Sequence, residues 1–532
     1  MSCISCGLTW AVIILSSLYF IFKLAMKKYQ YFKEKGIPHV PGVPIFGSLY
    51  STMMMHKSIP DWLLEVMHQF RTHRFFGIYG VMGPTFVLQD PDLIKQICVK
   101  DFDNFTNHPN MLSTSHDELL SNALNILRDQ KWKDMRSTLS PAFTGSKMRM
   151  MFDLIRECAD DFVSYCNSKV NSDKTMEIVT KDIFSKVTIN IISSTAFGLK
   201  VDSVRDPQNP VFVHATRSFD IRSLKAQIKF LMIGGMPKLA DFLGVSFTPK
   251  DSQKFFKKLV KDTIEHRRKT KETRPDVIQL LIQAQDGTLK YETEEKDDHG
   301  GFAVIEESDI GKKEVKQTWS DTDLAAQCFL FFVAGFDTTS TLLTFASYEL
   351  AVNDEVQEKL FAEIKETKQK LMGRPINYEL LQKMEYLDAF VSEVLRVHPP
   401  GFLTDRYCNN DTEIEDHEGK KFTIPKGSMI WSNIYGIHHS HKYFPNPEKF
   451  DPERFLGANK EKIIPNSYIP FGLGPRACIG SRFALMEGKI ILYSILSEFK
   501  FEVCDKTLVP MRYSGGFGMG PRVDLIVQLK KR

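Results

Sequence analysis

Cysteine is scarce in this sequence, with nine residues in a chain of 532. Most of them stand singly in apolar surroundings, as Cys98, Cys158, Cys166 and Cys328 do. This usage is typical of a reducing compartment and argues against a disulfide scaffold. The excess of positive charge is small as well, +4 from 69 basic and 65 acidic residues. We therefore expect no nucleic-acid partner.

A nucleotide-binding motif is also missing. Gly472 and Gly474 form part of a glycine-rich pattern, but no strand-helix-strand unit surrounds them. No flavin or nicotinamide motif occurs elsewhere, and the chain has no internal repeat or heptad array. If the protein carries out redox chemistry, its electrons must therefore come from a partner.

An uncharged apolar stretch, residues 7–22, is the first positive feature. Extended to residue 26, it has about 20 residues, which is enough for a helix to cross a bilayer. No Lys or Arg precedes it, whereas several lysines follow it, so the positive-inside rule places the rest of the chain in the cytosol. The basic front of a cleaved signal peptide is absent. We predict an uncleaved signal-anchor helix in residues 1–28; the alternative is a buried core helix.

The rest of the chain divides into a short hinge and one large domain. Residues 29–47 are basic and contain Pro38, Pro41 and Pro44, which exclude a regular helix or a central strand. Residues 48–532 are predicted to form the catalytic domain. Helical periodicity dominates to about residue 396, and short segments rich in Pro and Gly follow. This pattern predicts a mainly α domain with a small β-rich part.

Two segments depart from this pattern. Residues 286–316 are rich in charge and glycine, which predicts a mobile surface loop. Residues 230–245 are apolar without clear amphipathicity. They fit either ordinary core or a loop that dips into a membrane, and the sequence leaves both open.

The stretch FGLGPRACIG, residues 471–480, contains the chain's most informative cysteine. Its glycines and proline force a tight backbone turn before Cys478. Cys478 then stands at the entry to an apolar helix predicted from Ser481. A helix N-terminus favours a thiolate, and its free amides can donate hydrogen bonds to a metal-bound sulfur. The alternative for a lone cysteine is a buried structural residue after a turn.

A second polar group interrupts a long apolar run, residues 324–350, for which Ser320 is a plausible N-cap. Asp337 in the middle of such a helix is costly unless it has a partner or a task. Gly335 removes a side chain, and Thr338 can bond back to a carbonyl and bend the helix. The pattern predicts a notch beside an acid and an alcohol; the alternative is a locally satisfied polar patch.

Residues 471–480 match the pattern F-x-x-G-x-R-x-C-x-G at every fixed position and so resemble the signature of the cytochrome P450 superfamily. Residues 334–339 resemble the family's oxygen-activation motif. Residues 393–396 match its E-x-x-R, and residues 132–136 its W-x-x-x-R. The resemblance extends from the anchor to the C-terminus. It implies the mainly α cytochrome P450 fold with a small β-rich part, behind an N-terminal transmembrane anchor.

The resemblance also implies a haem-thiolate monooxygenase with haem b as cofactor. Cys478 is then the axial iron ligand, and Asp337 and Thr338 deliver protons beside a space for oxygen at Gly335. The implied cofactor-binding residues are Trp132, Arg136, Arg406, Phe471, Arg476, Cys478 and Gly480. Arginines suit the bidentate recognition of propionate groups. A buried structural triad of Glu393, Arg396 and Arg454 is implied to hold the cysteine loop.

Finer resemblance is to the insect detoxification branch that is allied to the vertebrate drug-metabolising enzymes, and residues 140–145 and 328–337 carry it. By analogy, the substrate pocket consists of Leu124, Ile126, Phe329, Val333, Ala334, Phe402 and Phe517. These side chains are apolar, which predicts apolar substrates such as insecticides or plant toxins.

The microsomal type of anchor implies an endoplasmic reticulum membrane address and NADPH–cytochrome P450 reductase as the electron donor. Cytochrome b5 is compatible as a second donor, and Lys131 and Lys133 flank the face expected to receive the donor. Three alternatives stay open: a narrow steroid or terpenoid hydroxylase, a haem-thiolate isomerase or dehydratase, and a non-enzymatic haem sensor or binding protein. The pair Asp337 and Thr338 argues against an isomerase.

Overall fold

The computed structural model describes residues 29–532 except 45, 81, 110–114, 219–222, 275, 290–300, 314, 316–318 and 517, together with residues 16, 19, 23 and 26. The predicted anchor in residues 1–28 therefore lies almost wholly outside the described residues. The α-helices are Tyr31–Glu34, Tyr50–Met53, Ile59–Gln69, Pro91–Lys95, Glu118–Ser121, Asp129–Leu139, Gly145–Lys169, Thr180–Phe197, Pro210–Ser218, Leu224–Gly235, Pro237–Phe242, Lys250–Thr270, Val277–Gln285, Asp321–Val352, Asp354–Leu371, Tyr378–Gln382, Glu385–Val397, Ile434–His438, Gly457–Lys460 and Ser481–Leu496.

Three small sheets account for the β-rich part. Their strands are β1 (Phe75–Gly80), β2 (Gly83–Leu88), β3 (Thr175–Val179), β4 (Thr404–Tyr407), β5 (Thr412–Glu415), β6 (Lys421–Ile424), β7 (Met429–Ser432), β8 (Phe499–Glu502) and β9 (Ile526–Lys531). The four-stranded sheet has the order β1-β2-β7-β4, with β2 and β7 parallel and the other pairs antiparallel. The other sheets have the orders β3-β9-β8 and β5-β6. The predicted mainly α fold with a small β part is confirmed.

The helix Asp321–Val352, which we call the central helix, runs through the middle of the molecule. The predicted N-cap is confirmed: Ser320 and Asp323 form a reciprocal capping box. Among the described residues this is the one helix long and apolar enough to cross a membrane, but most of it is buried inside the protein. A helix that is apolar on all sides belongs in a core, so it is a core helix.

The helix Ser481–Leu496, the cysteine helix, packs across the central helix. Nearly all its side chains are buried. A Cβ added at Gly488 would lie only 3.0 Å from Leu342 of the central helix, so glycine permits the close approach of the two helices. The cysteine loop, residues 471–480, leads into this helix and is thereby held against the centre of the molecule.

Two segments depart from the general sequence pattern. Where they are described, residues 230–245 are mainly helical, and part of residues 286–316 packs against the body of the protein. Residues 230–245 belong mainly to the helices Leu224–Gly235 and Pro237–Phe242. Ile233 and Ala240 are buried, but Met236, Phe242 and Leu243 expose large apolar side chains, with Phe242 85% exposed. In the predicted surface loop, by contrast, Ala303 is buried and Phe302 packs against the rings of Phe455 and Tyr468. A few apolar residues thus anchor a segment whose average composition is polar.

The predicted hinge, residues 29–47, is docked on the body where it is described. Phe32 is fully buried against Tyr79 and Phe86. The amide of Val40 donates to the carbonyl of Gly77 in β1. The segment therefore leads from the N-terminal region directly onto the four-stranded sheet.

Candidate active site

A cavity of about 390 Å³ lies between the central helix and the cysteine loop. Most of its wall is apolar, and six of the predicted cofactor residues line it: Trp132, Arg136, Phe471, Arg476, Cys478 and Gly480. Gly335 and Thr338 line it from the central helix. Residues separated by more than 300 positions are thus brought to one enclosed space, as the sequence motifs predicted.

The cysteine loop owes its shape to backbone hydrogen bonds and two glycines. The Cys478 amide donates to the Phe471 carbonyl at 2.9 Å. Gly472 and Gly474 have φ angles of +80° and +77°, in the left-handed region. A Cβ added at Gly474 would also lie 2.0 Å from the carbonyl oxygen of Cys98. Only glycine fits at position 474, which explains the local pattern of the loop.

Cys478 is a free cysteine that is exposed and lines the cavity. Burial raises the pKa of its thiol, while the Gly480 amide and the Arg136 guanidinium act in the opposite direction. Among the described residues there is no group of three or more His, Cys, Asp or Glu that could hold a metal ion. A single thiol that lines an apolar cavity suits a metal that brings its remaining ligands in a macrocycle.

Three arginines crowd one end of this cavity. Arg476 stacks over the Trp132 ring at 3.9 Å and donates to the carbonyl groups of Thr106, Leu124 and Leu127. Burial and the neighbouring Arg406 and Arg136 lower the pKa of Arg476 to about 8.

Arg406 is 1% exposed, and its Nε has no hydrogen-bond partner in the part of the chain that the structure describes. It is held by Thr404 and Asp405, behind the residues that line the cavity. Arg136 pairs with Glu307 and also donates to the Ala477 carbonyl at 2.8 Å. The buried positive charge of these arginines is only partly neutralised by carboxylates of the described residues, so an anion bound at this end of the cavity would stabilise them. The two propionate groups of haem b fit that requirement.

The central helix presents Thr338 to the cavity. Its hydroxyl donates to the Ala334 carbonyl at 2.7 Å, which is the back-bond that the sequence predicted. The space at Gly335 differs from the prediction, because a Cβ added there would point at Ile192, 3.0 Å away. The glycine thus lets the helix Thr180–Phe197 approach closely, while only its backbone borders the cavity.

Asp337 lies on a different side of the central helix from Thr338. Its carboxylate pairs with Lys181 at 2.8 Å and is not among the residues that line the cavity. The ammonium group of Lys181 also contacts Ser340 and Thr341. The sequence predicted the acid and the alcohol beside one notch, but successive helical residues diverge by about 100°. Lys181, on the neighbouring helix Thr180–Phe197, holds the acid instead.

Sequence reasoning missed Glu487, a fully buried acid on the cysteine helix. Neither of its carboxyl oxygens has a hydrogen-bond partner among the described residues. Burial raises the pKa of Glu487 to about 8, although the nearby Thr339 hydroxyl acts in the opposite direction. The group is therefore largely protonated at neutral pH, beside the segment of the central helix that borders the cavity.

The predicted buried triad forms. Arg396 donates to both carboxylate oxygens of Glu393, at 2.7 and 2.8 Å, and neither side chain is exposed. Arg454 completes the group at 3.4 Å from Glu393. The triad is tied to the polypeptide before the cysteine loop, because Glu393 accepts from the Asp451 amide and Arg396 donates to the Pro447 carbonyl. It therefore anchors the segment that leads to Cys478.

A second cavity, of about 370 Å³, adjoins the first and shares Asn125, Leu330, Ala334 and Thr338 with it. The predicted pocket residues Phe329, Val333, Ala334 and Phe402 line this second cavity, and Leu124 lines the first. Ile126 lines neither of the two. Phe517 lies outside the described residues. A molecule entering the second cavity would reach the first past Thr338.

Comparison with known proteins agrees with this geometry. The profile of the family Cytochrome P450 matches residues 38–526. The chain is 37% identical to Probable cytochrome P450 9f2 of Drosophila melanogaster, covering 96% of this chain and 97% of the relative. It is 37% identical to Cytochrome P450 9e2 of Blattella germanica, with 92% and 93% covered.

A mammalian relative is similar over the same extent. The chain is 32% identical to Cytochrome P450 3A31 of Mesocricetus auratus, with 98% of this chain and 97% of the relative covered. The predicted resemblance to insect and vertebrate members is thereby confirmed. The fold, the cysteine loop and these matches show that the chain belongs to the cytochrome P450 family, as an NADPH-dependent monooxygenase whose cofactor is haem b.

Proposed function

We propose that haem b would occupy the cavity between the central helix and the cysteine loop, with the Cys478 sulfur holding its iron. The observation that carries this proposal is the Cys478 thiol lining an apolar cavity that has three buried arginines at one end, of which only Arg136 has a carboxylate partner among the described residues. When bound, the haem supplies the redox chemistry that inserts one oxygen atom of O2 into a substrate and releases the other as water.

The residues around the cavity have distinct tasks. Trp132, Arg136 and Arg476, which line the cavity, would bind the propionate groups, with the guanidinium of Arg406 behind them as a further positive charge. Phe471 and Gly480 shape the wall at the sulfur. Glu393, Arg396 and Arg454 keep the loop in place. Because these interactions hold the cofactor from two sides, loss of any one arginine is expected to weaken haem retention more than it alters the chemistry.

Thr338 and Asp337 form a proton path in two stages. The Thr338 hydroxyl donates to Ala334, so its oxygen is free to accept from a water molecule in the cavity. Asp337, paired with Lys181, is about a quarter exposed and exchanges protons with solvent on the other side of the helix. Proton transfer by positioned groups is worth roughly 10²–10⁴-fold in rate. A hydroxyl group at the cavity that can pass on protons, as Thr338 has, supports assignment as an oxygen-activating enzyme over assignment as an isomerase.

Electrons come from NADPH–cytochrome P450 reductase, with cytochrome b5 as a second donor, at an endoplasmic reticulum membrane. Residues 1–28 anchor the chain, and the catalytic domain lies in the cytosol. A second lipid contact involves residues 230–245, because Met236, Phe242 and Leu243 expose large apolar surfaces that water does not favour.

The substrates are apolar foreign compounds, such as insecticides or plant toxins. Apolar contacts discriminate weakly, by about 1–3 kcal/mol per methylene, so the phenylalanine-rich second cavity accepts varied shapes. The competing function is narrow hydroxylation of one steroid or terpenoid. To decide between them, the haem-loaded protein is incubated with reductase, NADPH and a panel of unrelated apolar compounds. Turnover of a single steroid or terpenoid, with none of the rest, would refute the detoxification function.

A further inference from the structure

One side chain in the second cavity does not suit a purely apolar ligand. Gln227 is 6% exposed, and neither its Oε1 nor its Nε2 has a hydrogen-bond partner among the described residues. It lines the second cavity together with the apolar residues Phe230, Leu231, Phe329 and Phe402. The amide thus offers one donor group and one acceptor to whatever fills this space.

The position of this amide is built into the fold. Gln227 lies in the first turn of the helix Leu224–Gly235, which Ser223 caps. On the other side stands Gly516, where an added Cβ would lie 2.4 Å from the Gln227 Nε2. Gly516 is fixed in turn, since its amide donates to Lys57 and its carbonyl accepts from Ile59. A glycine with a φ of +91° is therefore what leaves room for the amide.

An unpaired buried amide destabilises the fold, and natural structures contain few of them. Water could satisfy it only if roughly two to four polar groups converged on the same spot. The rest of the described wall is mainly apolar; its other polar side chains are Asn125, Ser218, Thr248 and Thr338. Ser218 already donates to the His214 carbonyl, and Thr338 to the Ala334 carbonyl. A ligand group is the natural partner.

We propose that Gln227 is a specificity-determining residue that binds the carbonyl or hydroxyl group of the substrate. This inference rests on the proposed function and narrows its substrate class to apolar molecules with one hydrogen-bonding group. Since the second cavity opens to the first at Thr338, that group is held away from Cys478. Oxidation then falls on the end of the molecule remote from the polar group.

The test uses two ligands of nearly equal shape, cyclododecanone and cyclododecane. Their dissociation constants are measured by equilibrium dialysis on the haem-loaded full chain, for wild type, Gln227→Met and Leu231→Val. Methionine keeps the volume of glutamine but removes both hydrogen-bonding groups. Gln227→Met is expected to weaken the ketone about tenfold and to leave the hydrocarbon unchanged or tighter. Leu231→Val, which trims the same wall, is expected to affect both ligands alike.

Product analysis supplies a second readout. Wild type should oxidise cyclododecanone across the ring from the carbonyl, and Gln227→Met should spread oxidation over more carbons. The role of Gln227 would be overturned, with the proposed function intact, by either of two results. Wild type could bind the ketone and the hydrocarbon equally well, or Gln227→Met could lose affinity for both ligands to the same extent. If wild type retains no haem or binds neither ligand, the proposed function fails and the inference fails with it.

Discussion

Glu487 gives the sharpest prediction about stability, because it is an acid with no hydrogen-bond partner among the described residues of the core. Burial raises its pKa from the ordinary value of 4.5 to about 8 in the folded protein. A group whose pKa is raised on folding stabilises the fold fully below its unfolded pKa, and this contribution is lost as pH rises through the folded pKa. The window is therefore pH 4.5 to 8.

The size of the effect follows from the difference between these two pKa values. Each pKa unit corresponds to about 1.4 kcal/mol, so the whole window amounts to at most about 5 kcal/mol. In the variant Glu487→Gln, the amide cannot titrate, so this position stays neutral at every pH. Between about pH 6 and pH 8 the wild type should lose up to about 3 kcal/mol of unfolding free energy relative to the variant.

The assay is urea unfolding of both proteins in their haem-loaded form, at several pH values across this window. Other groups titrate in the same range, so we compare the two proteins by the difference between their unfolding free energies at each pH. As pH rises, this difference should shift steadily in favour of the variant. Parallel curves would show that Glu487 has an ordinary pKa or a partner, and would refute the reasoning.

Three further outcomes follow from the site and the chain's organisation. Thr338→Ala should retain haem and substrate binding but lower coupled turnover about 100-fold, with NADPH consumed and hydrogen peroxide formed instead of product; unchanged product per NADPH would remove Thr338 from the proton path. Glu393→Gln should lower haem content, because it leaves Arg396 buried without its counter-charge, which costs about 3–5 kcal/mol of stability. The control variant Glu418→Gln, at an exposed position, should retain haem at the wild-type level. Deletion of residues 1–28 should leave a haem-loaded, active protein that still partly binds vesicles through residues 230–245; a truncated protein that stays wholly in the supernatant at low salt would refute that second membrane contact.

Local patterns predicted much of the fold and the cavity wall. Ser320 and Asp323 signal a helix start within four residues, and the spacing of Glu393 and Arg396 places them on one helix face. Gly472 and Gly474 predict a turn before Cys478, because both have positive φ angles and a Cβ at Gly474 would clash with a backbone carbonyl. Features of this kind depend on residues close in the sequence, so they can be predicted from it.

The features that the sequence did not reveal depend on which distant elements meet. The partner of Asp337 is Lys181, which is more than 150 positions away in the sequence. The space beside Gly335 is taken by Ile192 from the neighbouring helix. Glutamine and glutamate are common surface residues, so nothing in the sequence distinguishes Gln227 and Glu487 until the fold buries them. Burial of an unpaired polar group was therefore beyond prediction.

The central claim is that Cys478 is the thiolate ligand of haem b in this cavity. Its most direct test is the carbon monoxide difference spectrum of the dithionite-reduced protein, recorded for wild type and for Cys478→Ser. Wild type should show the red-shifted band of a thiolate-ligated haem. The variant should lose it, since a neutral hydroxyl cannot replace the electron-rich sulfur. A thiolate-type spectrum that persists in Cys478→Ser would contradict the account.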